Sequence, residues 1–222
     1  RYAAATVGRL RKLRRESQLF AIGSACFALG ALPGYASLVG ELADNVTYFV
    51  GSIFFTTAAF TQLRLSGRWR AGAWRNVADW DDWWSAAVQL SGTIAFNVST
   101  GAALAQHLTA ADEMHYVWRP DAIGSLCFLV SSALAIKATT HRDGLWDPEA
   151  RNWWTTWLNV AGSIAFGVSA VGAYVVSDSG ELLNAELVNL GTFVGAVCFL
   201  VAALLLRPPR ASQPGPGRGE AA

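Results

Sequence analysis

Three neutral amides, Gln89, Asn97 and Asn159, fall inside long apolar stretches of this 222-residue chain. At that depth an amide either lines a path for water or a polar solute, or ties helices together by hydrogen bonds worth on the order of 1 kcal/mol each. The structural role is the expected one, with a polar path between helices as the alternative. His107, Asp112, Glu113 and His115 crowd one loop. Imidazole and carboxylate together hold divalent cations, but this spacing fits no zinc motif and an acidic loop is ordinary solvated surface. Cys26, Cys127 and Cys198 share one position of a repeated motif, yet lie on segments that would run in opposite directions. Three thiolates at two depths cannot share a metal, so they read as small buried hydrophobes. The chain carries no P-loop, Rossmann glycine pattern, nucleophile elbow or haem-attachment motif. No catalytic residue, no metal and no cofactor is expected.

The elements that hold these residues carry a stronger signal. Gly, a small residue, two variable residues and Phe recur at Gly23–Phe27, Gly51–Phe55, Gly92–Phe96, Gly124–Phe128, Gly162–Phe166 and Gly195–Phe199. Each copy lies in its own apolar stretch of roughly 20 residues, the length that crosses a bilayer. Another small residue follows each glycine at a spacing of seven: Gly30, Ala58, Ser99, Ser131, Ser169 and Ala202. That spacing keeps both on nearly one helix face. Gly23, Gly51, Gly92, Gly124, Gly162 and Gly195 are therefore the expected helix-packing residues, because helices in lipid associate through close contact of small side chains.

The fold class that follows is an all-α membrane protein, six transmembrane helices arranged as three tandem hairpin repeats. The third and fifth spans align without a gap: Trp83-Trp84 with Trp153-Trp154, Gly92 with Gly162, Ile94-Ala95-Phe96 with Ile164-Ala165-Phe166. Residues 1–17 form a basic cytoplasmic segment, 18–206 the membrane domain and 207–222 a Pro-, Gly- and Arg-rich disordered tail. The hairpins cover about 18–65, 84–140 and 153–206. The first span is expected to run through Pro33 with a kink. Trp69, Ala73, Val77, Trp80 and Trp84 recur at helical spacing, so 68–83 reads as an interfacial amphipathic helix.

Charge sets the orientation. With the N-terminus inside, every Lys and Arg of the 17 except Arg119 falls on the cytoplasmic side. The positive-inside rule then puts both termini in the cytoplasm. Arg-rich, Ala- and Gly-rich composition points to a GC-rich bacterial genome, and the reading is a multi-pass protein of a bacterial cytoplasmic membrane. No charged residue lies in the middle of a span, which disfavours a coupled pump. The basic residues are those of positive-inside loops, so nucleic acid is not an expected partner. The expected partners are the lipid bilayer and another membrane protein or a second copy of the chain.

Tyr48-Phe49-Val50-Gly51-Ser52-Ile53-Phe54-Phe55, echoed at Ile123-Gly124-Ser125-Leu126-Cys127-Phe128, resembles the YrhK-like group of small bacterial membrane proteins. The resemblance covers one hairpin at a time. It implies a tandem multi-hairpin relative and transfers no catalytic residue. The expected function is a non-enzymatic scaffold or accessory subunit of a membrane assembly. The alternative is a small transporter or channel lined by Gln89, Asn97 and Asn159.

Overall fold

Glycine repeated in register lets backbones approach, and in the computed structural model it does so in pairs. The structure describes residues 2–66, 77–105, 107–143, 151–176 and 179–208. Its elements are α1 (Tyr2–Gly30), α2 (Tyr35–Val39), α3 (Glu41–Leu65), α4 (Val77–Ala102), α5 (Ala110–Asp112), a π-helical turn (Glu113–Trp118), α6 (Arg119–Asp143), α7 (Arg151–Gly172) and α8 (Ala185–Leu206). Apart from one isolated bridge, Val175 with Leu182, the described residues are helical or irregular.

The closest pairings are α1 with α3, α4 with α6 and α7 with α8. At each crossing the two motif glycines face each other. A Cβ built on Gly23 would sit 3.0 Å from the Gly51 carbonyl oxygen, one on Gly92 3.0 Å from that of Gly124, and one on Gly162 3.0 Å from that of Gly195. The expected glycine seam is thus a set of three backbone-to-backbone contacts. The pairs then join through α3·α4, α6·α7 and α8·α1, closing a ring of six long helices in chain order.

The second residue of the motif serves these joints. Ser52 Oγ lies 3.0 Å from Thr100 Oγ1, Ser163 Oγ lies 2.8 Å from Ser132 Oγ, and Ser125 Oγ donates to the Phe166 carbonyl at 3.4 Å. Asn97 joins the same layer, its Nδ2 donating to Thr56 Oγ1 at 2.8 Å across α3 and α4. Small hydroxyls stitch the repeats without holding the helices apart.

Several boundaries differ from expectation. Pro33 does not kink a continuous span: α1 stops at Gly30, and Gly34 and Gly40, both at positive φ (87° and 90°), bracket the short α2. A proline cannot donate to the preceding turn, and the two glycines supply the left-handed backbone that turns the chain into α3. The basic N-terminal segment is helical from Tyr2 and runs on into the first apolar stretch as one helix, α1. Of the expected interfacial helix, 68–76 lie outside the described residues, and Val77 to Trp83 form the first turns of α4. The tail beyond 208 also lies outside them.

Among the described residues three helices are long and apolar enough to cross a membrane: Glu41–Leu65, Ala110–His141 and Ala185–Leu206. Six were expected. The other three long helices, α1, α4 and α7, fall short because charged residues, tryptophans and inward-facing Ser, Thr, Asn and Gln lower their mean hydropathy.

Candidate functional site

The phenylalanine that ends each motif points to the middle of the ring. Phe27, Phe96 and Phe166 form one triangle, with ring centroids 6.3, 6.0 and 6.0 Å apart. Phe55, Phe128 and Phe199 form a second, at 6.4, 6.4 and 5.5 Å. Each helix pair supplies one rung between the triangles, at 5.2, 5.1 and 5.3 Å. The six rings make a trigonal prism, and each is at most 6% exposed. Edge-on and tilted geometries dominate, as ring quadrupoles favour. This prism closes the axis.

The residue three before each motif glycine also faces the axis, one helical turn from it. In α1, α4 and α7 those residues are Phe20, Gln89 and Asn159, and all three line a small cavity of about 40 Å³ at one end of the prism. In α3, α6 and α8 they are Tyr48, Asp121 and Thr192, and all three line a cavity of about 730 Å³ at the other end. The residue seven before the glycine continues five of the six faces, Glu16 and Thr155 at the small cavity and Asp44, Val117 and Val188 at the large one, while in α4 it is Ser85, which bonds Ser131 instead.

The candidate polar path is therefore split. Gln89 and Asn159 meet at the small cavity, while Asn97 is held in the α3·α4 joint by Thr56. Between the two cavities stand the six phenylalanines. The three cysteines do not gather; their Cβ atoms lie against the glycines of the paired helices, Cys26 on Gly51, Cys127 on Gly92 and Cys198 on Gly162. They are half-buried rather than fully buried, because the same position that touches glycine also reaches the outside of the ring.

Among the described residues no group of three His, Cys, Asp or Glu side chains converges as a metal site. Of the loop cluster, Asp112 caps α5 through Thr109, whose Oγ1 donates to its Oδ2 at 2.6 Å, and His115 Nδ1 lies 3.1 Å from Arg119 Nη1. His107 and Glu113 instead line the large cavity.

Two acids in unexpected places matter here. Asp81, fully buried, meets Lys137 Nζ at 3.2 Å and His141 Nδ1 at 3.6 Å. Glu16, only 3% exposed, opens onto the small cavity and has no hydrogen bond or ion pair among the described residues. It precedes the first apolar stretch, and burial pushes its carboxyl from 4.5 up to about 8. The native state then holds a proton that the unfolded chain releases. The charge penalty is absent below pH 4.5, grows as pH rises and is complete above 8. Glu16→Gln should therefore flatten a decline in Tm between these limits and raise Tm above pH 8 by a few degrees, roughly 2–4 °C per kcal/mol at this size. Parallel Tm–pH curves for the two proteins in detergent would contradict this.

The walls of the large cavity come from all three helix pairs. The π-helical turn brings Trp118 against α7, its indole N–H donating to the Ala170 carbonyl at 2.8 Å and its ring packing on Tyr174 at 5.1 Å. Such turns add a residue per cycle and often re-aim side chains at functional sites. The Val175–Leu182 bridge, with Leu183 N–H donating to the Tyr174 carbonyl at 2.8 Å, closes another side. Asn45 Nδ2, donating to the Ala103 carbonyl at 2.9 Å, ties α3 to the end of α4.

Comparison with family models, with curated proteins and with solved structures finds no match.

Proposed function

We propose that the chain is a six-span, three-hairpin protein of a bacterial cytoplasmic membrane, acting without catalysis as a scaffold or accessory subunit of a membrane assembly. The observation that carries this reading is the phenylalanine prism, six buried rings packed across the middle of the ring of helices. Supporting the six spans, all six long helices present exposed aliphatic residues outward: Ile22, Ile53, Ile94, Leu126, Ile164 and Val194 are each 43–59% exposed. An outward apolar face around a polar-seamed interior is what lipid requires. The division of Lys and Arg supports cytoplasmic termini. The YrhK-like resemblance, extended over three hairpins, belongs to the same proposal.

Reconstituted into sealed vesicles, the chain should pass small cations and neutral osmolytes no faster than empty vesicles do. Flux well above that background would replace the scaffold with a transporter or channel, a reading favoured by the depth of the large cavity, which reaches Phe27. Topology is tested separately. With the native cysteines replaced by Ala, a membrane-impermeant thiol reagent added to intact cells should label Ala111→Cys and not Ser66→Cys. Labelling of both, or of Ser66→Cys alone, would overturn the orientation.

A further inference from the structure

We propose that the 730 Å³ cavity is a binding site for a small organic cation, an ammonium group carrying a compact apolar body. The volume lies within the roughly 300–1,000 Å³ of small-molecule sites. Among the described residues its lining includes four carboxylates, Glu41, Asp44, Glu113 and Asp121, one imidazole, His107, and no Lys or Arg. Asp44 and Asp121 occupy axis-facing positions of the repeat, so the helix register itself aims them inward. Asp121 has no hydrogen bond or ion pair among the described residues, and Asp44 Oδ1 is buried without a hydrogen-bond partner.

A second observation, independent of the acids, points to a ligand. Ser99 is 4% exposed and lines the cavity, yet its hydroxyl makes no hydrogen bond among the described residues. Its counterpart one repeat later, Ser169, donates to the Val188 carbonyl at 3.0 Å and lies 2.7 Å from Thr192 Oγ1. A buried hydroxyl left open on a cavity wall is a place for a ligand's polar group or its water.

The walls choose the kind of cation. Tyr48 and Trp118 offer aromatic surface, and an ammonium is drawn both to carboxylates and to ring faces. A bare metal ion is the wrong size for this space, and no three ligands converge on one point among the described residues. A free amine and the headgroup of phosphatidylethanolamine share the ammonium chemistry. The inference goes beyond the scaffold reading and does not depend on the number of spans, because binding is read on the purified full chain.

The probe is benzyltrimethylammonium, titrated calorimetrically into the chain in a neutral maltoside detergent. It should bind saturably, at least roughly tenfold more tightly than benzyl alcohol, while phenylacetate should not bind. Asp121→Asn and Asp44→Asn, each checked for an unchanged gel-filtration profile, should each weaken the cation about tenfold. Should one variant not fold, the other and the comparison of the three probes on the native chain still decide. Equal binding of cation and alcohol, or full affinity in both folded variants, would overturn the proposal. So would displacement of the probe by equimolar sodium or calcium. In nanodiscs, competition by phosphatidylethanolamine but not phosphatidylglycerol assigns the site to a headgroup, and lack of competition assigns it to a free amine; both outcomes support ammonium recognition.

Discussion

Gly92→Leu and Gly191→Ala should each lower the Tm of the detergent-solubilised protein, by roughly 2–12 °C for an overpacking cost of about 1–3 kcal/mol. A Cβ on Gly92 would stand 2.8 Å from Cys127 Cβ and 3.0 Å from the Gly124 carbonyl oxygen and Phe128. Gly191 is tighter against main chain: its Cβ would meet the Ala165 carbonyl oxygen at 2.8 Å and Ser169 N at 2.9 Å. Backbone cannot step aside as a side-chain tip can, so α8 would have to move away from α7. In lipid that separation forfeits close packing, the main force holding such helices together. Gly8 is the control, since nothing lies within 4 Å of a Cβ there. Gly8→Ala should hold or slightly raise Tm through helix propensity. If Gly92→Leu and Gly191→Ala melt with the native chain, the glycines are not the contact points.

The glycine crossings could be read from the sequence because a fixed offset between Gly and Phe fixes their relative angle on any helix. The partner of each glycine could not be read. A period assigns a face, not what it touches, so the convergence of all six phenylalanines became visible only with the ring. Gly191 was missed because it falls outside the motif, although it lies four residues before Gly195 on the same face. Glu16 ends a basic run and by composition reads as part of that surface. Its spacing of seven from Gly23 was the signal that it belonged to the axis. The acids of the large cavity looked like solvated loop residues, because hydropathy does not register that Asp44 and Asp121 repeat the axis-facing positions. Of the three amides singled out, Gln89 and Asn159 are together and Asn97 is apart, as their registers require: the first two stand three before a glycine, and Asn97 five after one. Among the described residues only three of the six long helices are apolar enough on average to read as spans, for a related reason. Ser, Thr, Gln and Asn turned inward lower the mean hydropathy of α4 and α7 without changing their outward faces.

Phe128→Ala should affect both stability and closure. Phe128 is 2% exposed and its ring lies within 6.4 Å of those of Phe55, Phe96, Phe166 and Phe199. Truncating a buried Phe costs about 3–5 kcal/mol in water-soluble proteins. Where the separated helices would face lipid, part of the transfer contribution vanishes, since lipid solvates a ring almost as well as the core does. What remains is lost dispersion and the void left in the prism, so the fall in Tm should sit at the lower end of that range. Phe128→Leu fills more of the void and should cost less. The second consequence separates this residue from an ordinary core position. The prism stands between a cavity of about 730 Å³ and one of about 40 Å³ that Glu16, Gln89 and Asn159 help to line. A gap at its centre shortens the dry barrier and gives water polar walls at both ends. Vesicles carrying Phe128→Ala should leak small monovalent cations faster than vesicles carrying the native chain, and Phe128→Leu should leak less than Phe128→Ala. A buried residue that lines neither cavity, tested as Ala86→Gly, should lower Tm without a leak. If Phe128→Ala melts early yet remains as tight as the native chain, the prism is a packing core only, and closure of the axis must lie elsewhere.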